Sequence, residues 1–213
     1  MITLLGPTLA LTAAAVLLLL MPTPRLFAQA TSVLEGQVVN GTSGASGPPG
    51  LEISLRFHDN GGEIVERTVT TGLDSSFRFS DLPLVERSSY TLFATFKNVP
   101  YTLRLSGPLP ESPVELTVYE ITSEIGVLRV LEDTLTLTAV DSQDFLMDIL
   151  EVVRLENVSD RTFVTDPAGA GPMNLLRFSL PLGAADLDVR VPLEGGHLIQ
   201  VDRGFALTTP IPP

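Results

Sequence analysis

The chain has 213 residues, 13 Lys+Arg against 25 Asp+Glu, a formal net charge of -12, and neither Cys nor Trp. Without cysteine there is no disulfide framework, thiol nucleophile or cysteine-ligated metal, and His58 and His197 are too few for a multi-histidine centre. The acidic balance argues against nucleic acid, which needs a basic footprint for counterion release, while 44% hydrophobic residues is well above the level of disordered chains.

The first element is a leader. Leu9 to Met21 is apolar except for Thr12, and Pro22, Pro24 and Ala28-Gln29-Ala30 follow. Small residues three and one before a break after Ala30 match a secretory cleavage site, so residues 1–30 read as a signal peptide. The alternative is an uncleaved anchor. Met1 to Pro7 lacks Lys and Arg, and Leu4 and Leu5 extend the apolar stretch toward the ~20 residues of a bilayer span. Either reading places the protein outside the cytoplasm: periplasmic, secreted or at the cell surface, with an N-terminal membrane tether in the second case.

Beyond the leader the predicted elements are strands. Val33 to Asn40 is a short β-like segment, and a loop rich in Gly and Pro runs to Gly50. Leu51, Ile53, Leu55 and Phe57 alternate onto one face; His58-Asp59-Asn60-Gly61-Gly62 turns the chain, and Glu63 to Thr71 is the return. Phe77-Arg78-Phe79, Tyr90 to Phe96, Tyr101 to Leu105 and Val114 to Tyr119 continue the series. Val127 to Val140 reads as a long strand, with Leu135, Leu137 and Ala139 alternating against Thr136 and Thr138. From Gln143 to Glu156, Phe145, Met147, Ile149, Val153 and Leu155 fit a strand, whereas Leu146, Ile149, Leu150 and Val153 fit a helical stripe; the β-rich neighbours favour the strand. Asn157 to Arg161 is a turn that brings Arg161 toward an acidic surface, and short strands follow around Asn174–Ser179, Leu187–Val191, Leu198–Val201 and Phe205–Thr208.

This pattern predicts an all-β chain of two small antiparallel β-sandwich domains in tandem, over 31–120 and 127–213, joined by the junction 121–126. The expected core comprises Leu51, Ile53, Leu55, Phe57, Phe77, Phe79, Leu92 and Phe96 in the first half. In the second it comprises Leu135, Leu137, Phe145, Met147, Ile149, Leu176 and Phe178.

The stretch Thr71-Gly72-Leu73-Asp74-Ser75-Ser76-Phe77-Arg78-Phe79-Ser80-Asp81-Leu82-Pro83 resembles the carboxypeptidase regulatory-like module, with its acidic turn, Phe-x-Phe element and following Leu-Pro. Ser76 stands where that family usually has glycine. Val33 to Asn40 is similar to its opening strand and Ser89 to Thr95 to a later one, so the likeness spans roughly 33–120. It implies a transthyretin-like sandwich serving as an accessory, adhesive or scaffold domain of exported proteins. Physically, Asp74-Ser75 would form a side-chain-stabilised turn, Leu82 would cover an edge and Pro83 would stop the strand. The second half resembles the downstream region of exported bacterial proteins that begin with such a module. Those proteins sometimes continue beyond a proline-rich segment like Thr209-Pro210-Ile211-Pro212-Pro213, so the second domain reads as truncated at its C-terminus.

Little chemistry is visible. Asp141, Asp144 and Asp148 offer oxygen ligands for Ca²⁺, but their spacing is not that of an EF-hand and a solvated turn explains them better. His58 and His197 have no sequence neighbour that would make them catalytic, Ser75-Ser76 and Ser88-Ser89 form no hydrolase motif, and the sequons at Asn40 and Asn157 are more economically turns. No catalytic, cofactor-binding or metal residue is assigned. The leading expectation is a non-enzymatic envelope module that binds a protein noncovalently, its negative charge favouring a basic partner or cations. The first alternative is a carbohydrate-binding or adhesion module, for which Tyr90, Tyr101 and Tyr119 are the only tyrosines. A hydrolase with a site assembled by tertiary proximity is the second.

Overall fold

The computed structural model describes residues 31–59, 61–83, 89–166, 175–190, 195–201 and 203–213. The leader lies outside them, as do Asn60, Ser88, Asn174 and Val191 from the expected turn, serine pair and strand ends. The described chain is all-β apart from a 3₁₀ turn at Ile125–Val127, and no helix among these residues is long and apolar enough to cross a membrane.

Period-two alternation builds the first seven strands. β1 (Thr31–Asn40) is the centre of a three-stranded sheet, antiparallel to β4 (Ser76–Pro83) and parallel to β7 (Val114–Val118). β2 (Glu52–His58), β3 (Ile64–Thr70), β5 (Ser89–Phe96) and β6 (Val99–Ser106) form an antiparallel sheet in the order β3-β2-β5-β6. The inward side chains of both sheets share one core, which includes the expected Ile53, Leu55, Phe57, Phe77, Phe79 and Leu92; Leu51 and Phe96 pack against it half-buried. Full burial of each such side chain is worth about 1.5–3 kcal/mol.

Local chemistry fixes the turns between these strands. Lys97 and Asn98 both adopt left-handed φ values, 51° and 63°, in the two-residue turn joining β5 to β6. In the acidic turn, Asp74 Oδ1 accepts the Ser76 amide at 3.1 Å and its hydroxyl at 2.7 Å, and Ser75 takes the left-handed conformation. Leu82 is fully buried, and Pro83 still pairs with Thr31 at the last described position of β4. Gly36 lets β4 and β7 close over β1, because a Cβ there would strike the Phe77 ring and lie 2.7 Å from the Val114 carbonyl oxygen.

Past Glu120 the organisation changes. β8 (Ile121–Thr122) lies within the expected junction and pairs in parallel with β11 (Thr162–Phe163); between them run β9 (Leu128–Asp141) and β10 (Leu146–Asn157), an antiparallel hairpin. β12 (Leu176–Ser179), β13 (Leu198–Val201) and β14 (Gly204–Leu207) form an antiparallel sheet with β14 central. The strand reading of 143–156 therefore holds over the helical one from Leu146 onward, while 143–145 lie in the hairpin turn.

Two expectations need correction. Leu135, Leu137, Phe145, Met147 and Ile149 are exposed instead of buried, because neither face of the hairpin is covered by a second layer. Among the described residues, 127–213 comprises the β9–β10 ribbon, β11 and the small β12-β14-β13 sheet, with Phe163, Phe205, Ala206, Leu207 and Ile211 buried apart from the first-half core. Residues 187–190 are irregular where a strand was expected, with Arg190 turned back onto Asp188 at 2.8 Å. Leu176 and Phe178 are half-buried, the latter stacked on Phe205 with ring centroids 5.0 Å apart.

Candidate interaction surface

At ~3.3 Å per residue, the 14 residues of β9 make a ribbon roughly 45 Å long. Its two strands pair through to the tip, with irregularities that leave Thr138 and Leu131 of β9 without a direct partner. These act as bulges, each adding one residue to β9 and resetting its alternation. As a result Val130 and Val140, out of step with Leu135 and Leu137 in sequence, join them on one face. On β10 the same face carries Met147, Ile149, Val153 and Leu155. Ala139, expected beside Leu137, instead pairs with Asp148 on the other face, which holds Leu146, Leu150 and Val152 of β10 together with Thr134, Thr136 and the Arg154–Glu132 ion pair.

The apolar face is open to solvent. Leu135 and Met147 are each 63% exposed, and Val130, Val140 and Leu137 are exposed with them. A ribbon face of this length and about 10 Å across offers on the order of 400 Å² of largely apolar surface, within the ~300–600 Å² of the largest exposed patch on a typical soluble monomer, which is often functional. At the tip Phe145 is 90% exposed and holds a left-handed φ of 57°.

A polar node fixes the root of the ribbon to the double-layered first half. The Asn157 side-chain amide donates to the carbonyls of Arg161 at 2.7 Å and Ile211 at 2.8 Å. Thr42, buried, donates its hydroxyl to the Asp160 carbonyl at 2.7 Å, and the Ser43 amide donates to the Asp160 carboxylate at 2.9 Å, which holds that carboxyl below its usual value. Tyr101 donates to the Tyr119 carbonyl at 3.1 Å and shares a 2.8 Å hydrogen bond with Thr162; burial pushes its phenol up. The Lys97 ammonium, 2.7 Å from Glu120 and assisted by Asn40 at 3.1 Å, keeps the Glu120 carboxyl low. Arg161 adds positive potential to both Glu120 and Asp160, as the turn reading of 157–161 expects. The node itself was missed in the sequence, since Thr42 and Thr162 carry no sign there that they are buried.

Other candidates stay apart. Asp141 Oδ1 accepts the amides of Gln143 at 2.8 Å and Asp144 at 3.1 Å, so it caps the hairpin turn; no three metal-ligating side chains converge among the described residues, Asp144 and Asp148 included. His58 and His197 are both exposed, at the end of β2 and just before β13. Tyr90 and Tyr101 are buried and Tyr119 is half-buried, so they form no exposed aromatic platform. Comparison of the chain with protein-family models, curated proteins and solved structures yields no match.

Proposed function

We propose that this protein is a non-enzymatic interaction module of the cell envelope that recognises a protein partner noncovalently through the β9–β10 ribbon. The observation that carries this reading is the long ribbon with one apolar face uncovered, held at its root by a polar node on the folded first half. Loss of solvent contact by that face on binding is a favourable term that contacts among the described residues leave largely unused. Placement outside the cytoplasm rests on the apolar leader and Ala28-Gln29-Ala30. The test is affinity capture from native envelope extract with the full chain and with its Leu137→Ser/Ile149→Ser variant. A protein retained by the first and lost by the second is expected. Equal recovery on both baits would remove the ribbon from recognition, and recovery of a glycan would move the function to the adhesion class.

A further inference from the structure

We propose that the apolar face of the ribbon receives an amphipathic helix from a protein partner, whose apolar stripe carries one lysine or arginine seated between Asp133 and Glu151. This rests on the ribbon being the recognition surface and specifies what it recognises. Strand register sets three consecutive pairs on that face: Leu137 with Ile149, Leu135 with Glu151, and Asp133 with Val153. Asp133 and Glu151 are thus diagonal neighbours across the ribbon, at a Cα separation of ~7–8 Å. Val140 and Met147 lie beyond them toward the tip, Val130 and Leu155 toward the root. Among the described residues neither carboxylate has a hydrogen bond or ion pair, whereas Glu132 on the opposite face pairs with Arg154 at 3.3 Å.

Charge separates the possible occupants. Covering this face strips water from two carboxylates, which is unfavourable unless the covering surface supplies a cation. A second copy brings the same two carboxylates and the same imbalance, two arginines against seven acidic residues over 128–157. An anionic lipid surface repels that charge, and the ribbon lacks the basic flank that membrane-lying elements use. A partner helix with a central cation meets both requirements, and its ~10–12 Å diameter matches the width of two strands and their side chains.

Three 18-residue amphipathic helical peptides, alike except for Lys, Gln or Glu at the centre of a leucine face, are titrated calorimetrically into the full chain. The Lys peptide is expected to bind at least tenfold tighter than the Gln peptide, with the Glu peptide weakest. The near-isosteric Asp133→Asn/Glu151→Gln variant is expected to erase that order, and Leu137→Ser/Ile149→Ser to abolish binding, thermal melting showing that both remain folded. Equal binding of Lys and Gln peptides, lost in Leu137→Ser/Ile149→Ser, overturns the cation while leaving the ribbon as recognition surface. Failure of every peptide to bind, or binding that survives Leu137→Ser/Ile149→Ser, overturns the proposal; the envelope capture then decides the broader reading separately. So does a dimer in sedimentation, or binding to phosphatidylcholine or phosphatidylglycerol vesicles, that Leu137→Ser/Ile149→Ser removes.

Discussion

Two side chains show how much can depend on one position. Phe145 sits in the left-handed region, where a residue with a Cβ costs about 1–2 kcal/mol relative to right-handed backbone. Nothing in the ribbon offsets that cost by packing, since the ring is in solvent. Phe145→Gly should therefore raise hairpin stability by ~1 kcal/mol while weakening partner binding, and opposite signs in thermal melting and affinity would mark the ring as a contact residue. Tyr101→Phe acts the other way: removing the hydroxyl leaves the Tyr119 carbonyl and Thr162 short of a partner, for an expected loss of about 1–3 kcal/mol in a denaturant melt. Neither effect is legible in the sequence. Phe145 continues the alternation of Met147 and Ile149 on paper, and phenylalanine carries no turn preference that would announce its φ.

Among the elements, the contrast lies between strands with two neighbours and strands with one. An isolated two-stranded hairpin is marginally stable in water, whereas β1, β2 and β5 each pair on both sides and face a core. Amide hydrogen exchange should run orders of magnitude faster in the outer part of β9 and β10 than in β1, β2 and β5, and slow on partner binding. Uniform protection across all five strands would contradict a free ribbon. Strand positions were largely readable in advance, from the period-two pattern at Leu51 to Phe57 through to Phe205, because alternation is a local property. Which face β9 would show was not, because the bulges at Leu131 and Thr138 shift the phase by one residue each. Nor was burial: alternation at Leu135 and Leu137 states that one face is apolar, but not whether the chain itself covers it.

For the molecule as a whole, acid is the informative variable. Asp74, Glu120 and Asp160 all have carboxyls held below their usual values, by the Ser76 hydroxyl and amide, by Lys97 and Asn40, and by the Ser43 amide respectively. A carboxylate whose folded value is depressed contributes its full stabilisation above the unfolded value of roughly 4 and loses it as pH falls through the lower folded value. The melting temperature should be nearly level from neutral pH to about 5 and decline below about 4. Because Asp74 is exposed and Glu120 and Asp160 are only half-buried, solvent screens these interactions and the decline is shallow. Glu120→Gln/Asp160→Asn should flatten it; an unchanged slope would detach the node from acid sensitivity.

The place of β1 sets the order in which this molecule can form. Its first described strand needs β4 on one side and, on the other, the parallel partner supplied by Val114–Val118. A chain delivered N-terminus first must hold that strand half-paired until residue 118 has followed. Such distant closure is slow compared with local hairpin formation. The β2–β3 and β5–β6 pairings are local hairpins that need no such wait, whereas the β1–β7 pairing closes only once Val114–Val118 is present. Completion of the core before residue 118 has followed is thereby discouraged by connectivity alone.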